Sequence, residues 1–260
     1  MILHVDSLLT DRTYIISGGS RGLGRATADA LVAADANVVL LARTGEDLAD
    51  AADVLGPERC LVLTGDLCDP EVAERAVAAA ASRFGRLDGA LLNTGGPAPS
   101  GASDTSDEQW LAAFTAVFLA PLRLARAVAS ALPSTPGGDA SLVFTLSTSV
   151  YRPLRGLAAS NGLRPGLASL VRELAEEWGP RGIRVNGIAP GRIGTERVRS
   201  LDARSGDPDE VRGAREAHIP LRRYGQPAEF GAVAAFLLSP AASYVTGAVI
   251  PVDGGASFNP

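Results

Sequence analysis

The stretch SGGSRGLG, residues 17–24, places Gly18, Gly22 and Gly24 where a strand turns into an Ala-rich helix. Positions without side chains let the backbone approach a pyrophosphate, and a helix N-terminus offers unpaired N–H groups and partial positive charge. Tight turns also want glycine, but a triplet opening the first βαβ unit points to a dinucleotide. The second strand ends LLARTG with no acidic residue at its tip, where such an acid would hydrogen-bond a ribose 2′-hydroxyl. Arg43 stands there instead, with Arg21 in the glycine loop, and two planar guanidiniums suit the oxygens of a 2′-phosphate. The pair therefore predicts NADP(H), with NADH a weaker ligand; the bland alternative is two solvent-facing arginines.

Other chemistries are poorly supplied. Every basic residue is arginine, so Schiff-base chemistry on a lysine is excluded. Cys60 and Cys68 are the only cysteines, at a spacing that fits no zinc motif, and His4 and His218 are the only histidines. No protein-built metal site is expected, and the two cysteines read as small buried or half-buried side chains.

These residues must be positioned by a scaffold, and the pattern specifies one. Short β-branched runs near 13–17, 37–42, 60–64, 87–92, 141–147, 183–189 and 248–252 alternate with longer Ala-rich segments of helical period. That is the pattern of βαβ units around a parallel sheet, whose crossovers are right-handed and whose ligands bind beyond the C-terminal strand ends. The segment from Arg192 to Pro220, rich in both charge signs and interrupted by Pro208, reads either as a solvated surface helix or as a substrate lid at about 192–220.

Composition narrows the partners. A chain of 260 residues, 46% hydrophobic, can bury a full core, and one domain over 1–260 is the expectation. The net charge of −5 offers no basic face to a nucleic acid. No apolar run is read as reaching the ~18 to 20 residues of a membrane span, and MILHVDSLLTDR lacks the order of a signal peptide. The expectation is a soluble, cytoplasmic protein with no nucleic-acid or membrane partner.

With these motifs in order, the chain resembles the short-chain dehydrogenase/reductase family over nearly its whole length. GGSRGLG is similar to the family's glycine loop, with Ser20 and Leu23 beside Arg21; GDLCDP puts Asp66, followed by Leu67, at its adenine-contacting aspartate. LLNTGGP resembles its Asn-Ala-Gly turn through Asn93, Thr94 and Gly95. RVNGIAPGRIGT matches the stretch that would carry Pro190 and Gly191 and bring Ile193 and Thr195 to a nicotinamide carboxamide; YVTGAVIPVDGG matches the C-terminal signature. The resemblance implies a single-domain, doubly wound Rossmann fold, a seven-stranded sheet in the order 3-2-1-4-5-6-7, and a homotetramer.

Members of this family reduce carbonyls with a Ser, Tyr, Lys and Asn group. Alignment places Ser147 at the serine, but Ser160 at the tyrosine, Arg164 at the lysine and Val117 at the asparagine. Arg164 would still hold ribose hydroxyls as a cation, although its high pKa makes it a poor proton relay. A serine hydroxyl is far less acidic than a phenol near pKa ~10, and it is shorter. Pro165 inside a helix costs ~3 kcal/mol, so this helix is expected to start late, with Ser160 displaced. Tyr151, four residues before Arg155, is a candidate replacement acid, although Pro153 lies between them.

The cofactor residues remain while the usual proton path is gone. This pattern is similar to that of atypical ketoreductases of the angucyclinone (simocyclinone) type. It implies an NADPH-dependent ketoreductase acting on a hydroxylated, polycyclic aromatic polyketide ketone in antibiotic biosynthesis, with Ser147 orienting the carbonyl and a substrate hydroxyl supplying the acid. An NADP(H)-binding protein without redox turnover, or a cyclase or dehydratase in the same pocket, remain alternatives.

Overall fold

The seven apolar runs are the seven strands of one parallel sheet. In this computed structural model, which describes residues 8–258, they are β1 (Thr13–Ser17), β2 (Asn37–Ala42), β3 (Cys60–Thr64), β4 (Gly89–Leu92), β5 (Ala140–Thr145), β6 (Ile183–Pro190) and β7 (Val249–Val252). Their order is β3-β2-β1-β4-β5-β6-β7. Residues 1–7, which include His4, and 259–260 lie outside the described residues. One strand end differs usefully from the sequence reading. β5 closes at Thr145, so Ser147 stands beyond it as the N-cap of a 3-10 turn, Thr148–Val150.

Helices α1 (Gly22–Ala33), α2 (Gly45–Leu55), α3 (Pro70–Phe84), α4 (Asp107–Phe114), α5 (Ala120–Ala131), α6 (Ala158–Trp178), α7 (Glu196–Ala203), α8 (Pro208–Glu216) and α9 (Pro227–Leu238) connect or flank the strands. Period-2 alternation sends Ile15, Val39, Leu142 and Phe144 into one core with α3, α5 and α6. Tyr14, Ile16, Val38, Leu40 and Val143 enter the opposite core with α1 and α9. Both faces are covered, which is why the strands read as continuous apolar runs rather than alternating ones. At ~1.5–3 kcal/mol per buried large apolar side chain, the two cores are the main driving force for this fold.

Against the expectation that no apolar stretch reaches membrane length, the helical stretch Asp107–Ala131 has that length and composition. Some 44% of its most apolar window is buried inside the fold, where Leu124, Ala125 and Val128 pack on the sheet. A π-helical turn, Thr115–Leu119, joins α4 to α5 and contains the fully buried Val117.

The late start expected for α6 is not found. The helix begins at Ala158 and carries Pro165 in its interior, so Ser160 sits in its first turn and is not displaced. External contacts outweigh the proline. The Asn161 amide accepts from the Leu154 N–H at 2.9 Å and donates to the Leu154 carbonyl at 2.8 Å. Ser100 pairs with the chain on both sides of Leu157, accepting from Ala158 N–H and donating to Gly156 carbonyl. At a net ~0.5–1.5 kcal/mol each, four such bonds match the ~3 kcal/mol proline cost.

Candidate active site

Beyond the C-terminal ends of β1, β2, β4, β5 and β6 lies a cleft of about 1260 Å³. That exceeds the ~300–1,000 Å³ that suits one drug-sized ligand, so a dinucleotide and a second molecule fit together. The cofactor-side residues read from the sequence line it, with the exception of Gly24.

Gly24 acts one layer below. A β-carbon there would stand 2.1 Å from the Gly18 carbonyl oxygen, so only glycine lets α1 approach the loop. Gly18 itself has φ +60°, a left-handed conformation that favours glycine. Asn93 braces the turn: its side-chain amide donates to the Gly18 carbonyl at 3.4 Å, and its N–H donates to Ser17 Oγ at 2.9 Å. α1 begins with no side-chain cap and no acid in its first turn. Uncapped N–H groups at such an end favour an anion.

Arg21 and Arg43 flank this loop in the cleft wall. Arg21 meets Glu196 at 3.3 Å with both side chains about two-thirds exposed, a contact of little strength that a phosphate can displace. Arg43 has no ion-pair partner among the described residues. Asp66 and Leu67, which follow β3, line the cleft, and Asp66 accepts from the Cys68 N–H at 2.9 Å. At the opposite end Thr195 caps α7, accepting from Val198 N–H, and Pro190, Gly191 and Ile193 follow β6 into the wall. The glycine-lined backbone cradle, the uncapped helix and the two guanidiniums together fit NADP(H).

At the centre three serines form a chain. Ser147 Oγ accepts from the Ser149 N–H at 3.1 Å, and Ser149 Oγ lies 3.1 Å from Ser160 Oγ. Ser147 has no acceptor for its own proton among the described residues, and its hydroxyl lines the cleft. Ser160 is 4% exposed and already partnered. Arg164, also buried, donates to the Thr145 carbonyl at 2.5 Å and lines the cleft. Burial, with the charge of Arg197, pushes it down to about 10, so it stays cationic at neutral pH.

Tyr151 stands apart from this group. Its hydroxyl donates to the Val249 carbonyl in β7 at 2.9 Å, and burial with the nearby Asp253 pushes its pKa up. It does not line the cleft, so the structure gives no geometric support to its role as the replacement acid.

The insertion after β6 folds as α7 and α8, and Pro208 does not break a helix but occupies the first position of one, after the Asp207 cap. Several of its side chains, among them Arg197, Leu201, Arg204 and His218, line the cleft. The buried Asp202 ties the segment together, accepting from Arg192 at 2.9 Å and from Tyr224 Oη at 2.9 Å and pairing with Arg215 at 3.3 Å. Sequence reasoning missed Arg197, Arg204 and His218 as cleft groups, and Ser149 as the buried partner of Ser160. The sole advance signal was the charge-rich character of 192–220; which residues turn inward depends on how α7 and α8 pack.

Residues 18–257 match the family model described as Enoyl-(Acyl carrier protein) reductase. The chain is 36% identical over 260 residues to levodione reductase of Leifsonia aquatica, covering 95% of each chain. The crystal structure of levodione reductase superposes with a TM-score of 0.90 at 32% identity, covering 96% of this chain and 98% of that one. L-sorbose reductase of Gluconobacter frateurii, solved with NADPH and L-sorbose, gives 0.89 at 28% identity over 96% and 98% of the two chains. An NADPH-bound short chain oxidoreductase of Pseudomonas aeruginosa PAO1, described as containing an atypical catalytic center, gives 0.86 at 31% identity over 94% and 96%.

Proposed function

The chain belongs to the short-chain dehydrogenase/reductase family, and from that premise we propose that it is an NADPH-dependent ketoreductase that reduces a hydroxylated aromatic ketone without a protein phenol as acid. It is an oxidoreductase of carbonyl and alcohol groups, and NADPH is its cofactor. The observation that carries the finer reading is the serine chain. Ser147 lines the cleft with no acceptor for its hydroxyl proton among the described residues, whereas Ser160, which the resemblance sets at the family's tyrosine position, is tied to Ser149.

NADPH held by the glycine loop, Arg21 and Arg43 would supply the hydride for the carbonyl carbon. Ser147 donates its proton to the carbonyl oxygen as a hydrogen bond and polarises it, a task in which one donor is worth ~10²–10³-fold in rate. Arg164 holds a fixed, desolvated positive charge beside the same pocket, which favours both ribose hydroxyls and developing negative charge. As the C=O π pair moves onto oxygen, a phenolic hydroxyl adjacent to the ketone delivers its proton, and solvent restores that phenol. A phenol near pKa ~10 is matched to this transfer and serine is not. α7 and α8 act as the lid over the substrate end.

A polycyclic polyketide ketone of antibiotic biosynthesis, of the kind angucyclinone-type ketoreductases reduce, is the substrate class this proton source favours. The assembly proposed is a cytoplasmic homotetramer. In its support, Leu111 and Phe114 on α4 are exposed, with Phe114 stacked on Phe118 at 5.2 Å. The test is NADPH oxidation on an ortho-hydroxyaryl polycyclic ketone against its O-methyl analogue. The reading requires the methylated ketone to react at least ~100-fold more slowly.

A further inference from the structure

The protein is acidic overall, with a net charge of −5, yet its cleft is lined by eight arginines and only three carboxylates. Such a concentration of one sign inside a cleft focuses the field toward an anion. Part of it has an owner. Arg21 and Arg43 sit at the phosphate-loop end, Arg192 and Arg215 share Asp202, Arg152 donates to the Ala256 carbonyl, and Arg164 donates to the Thr145 carbonyl. Two guanidiniums remain, Arg197 on α7 and Arg204 at its C-cap.

Arg197 and Arg204 both line the cleft, and neither has a carboxylate within ion-pair distance among the described residues. Arg197 reaches across from α7 to donate to the Pro97 carbonyl, in the loop after β4, at 2.6 Å. Solvent-facing arginines would be the bland reading. Against it, Arg197 is held inward by a neutral acceptor alone, and partial burial with the charge of Arg204 lowers its pKa. Both side chains line the cleft while remaining exposed, so they are open to an anion, and a guanidinium fork pairs oxyanions in bidentate fashion.

We propose that Arg197 and Arg204 form a clamp for an oxyanion on the substrate, a carboxylate or phosphate substituent remote from the ketone. The inference rests on the ketoreductase reading above for what the rest of the substrate is. It makes the substrate an acidic ketone, with its carbonyl at Ser147 and its charge at α7.

The test uses the full chain saturated with NADP⁺ and 8-hydroxy-1-tetralone carrying a remote carboxylate, its methyl ester, or a phosphate in place of the carboxylate. Calorimetric binding needs no turnover, so it separates this clamp from the reaction. The carboxylate is expected to bind at least tenfold more tightly than the ester. Arg197→Gln and Arg204→Gln should each remove most of that difference, and Arg199→Gln, on the same helix outside the cleft, should leave it. The order of the carboxylate and phosphate arms identifies the oxyanion. If acid and ester bind alike, or if neither binds, the clamp is wrong. If the two glutamine variants weaken NADP⁺ severalfold instead, these arginines serve the cofactor and the proposal also falls. Charge-dependent binding without NADPH oxidation would leave the clamp standing and sink the ketoreductase reading.

Discussion

The hydroxyl oxygens of Ser149 and Ser160 lie 3.1 Å apart, so the side chain that the sequence reading sets at the family's tyrosine position is already engaged within the protein. Ser160 is thereby a packing residue of the first turn of α6. Ser160→Ala is expected to retain most of the turnover, since Ser149 can turn to the Ser160 carbonyl, already 3.4 Å away. A loss of about a thousandfold with NADPH affinity intact, the size of effect a general acid commands, would restore Ser160 as the proton donor.

Ser147→Ala should behave oppositely. Removing the hydroxyl proposed to polarise the carbonyl is expected to lower kcat by ~10²–10³-fold while the Kd for NADPH stays within about twofold. Tyr151→Phe, which removes the hydrogen bond to the Val249 carbonyl, should leave kcat nearly unchanged. If Tyr151→Phe abolishes reduction of both the phenolic and the O-methyl ketone, the acid is that tyrosine and substrate assistance is wrong.

Arg43 and Arg21 should set the cofactor preference. Fluorescence titration is expected to show NADPH bound more tightly than NADH, with Arg43→Ala losing about tenfold or more of the preference, as befits a charge-assisted hydrogen bond. Equal affinities in the parent chain would remove the 2′-phosphate assignment.

Much of this was legible in advance because it is local. The strands 13–17, 37–42 and 60–64 carry their own β-branched, apolar signal, and the glycine loop needs only its neighbours to be read. Where α6 begins was not legible. Pro165 speaks against a helix locally, and the contacts that overrule it come from Leu154, Ser149 and Ser100, one of them about sixty residues distant in sequence. Val117 likewise reads as an ordinary helical position, whereas it lies in a π-helical turn that no residue type announces. The inward-facing set on α7 and α8 is a product of the Asp202 hub, and a charge-rich sequence does not say which of its charges meet.

That hub makes its own prediction. Asp202→Ala leaves Arg192, Arg215 and Tyr224 without their common acceptor, a loss of roughly 1–3 kcal/mol. Opening of residues 196–216 should become about tenfold more frequent, seen as faster limited proteolysis there. An unchanged cleavage rate would show that the segment is held by other contacts.

The proline inside α6 has a consequence for how the molecule breathes. It removes one rung from the helix ladder, so the turn bearing Ser160 and Arg164 hangs on outside attachments: Asn161 to Leu154, Ser160 to Ser149, Arg164 to Thr145. Two of those three anchors lie on the sheet's C-terminal edge. In hydrogen exchange, the amides of 158–164 should therefore open together with the ends of β5 and the turn after it, and the remaining turns of α6 should keep a slower clock of their own. The opening turns of α6 are, in cooperative terms, a lobe of the sheet that happens to be coiled.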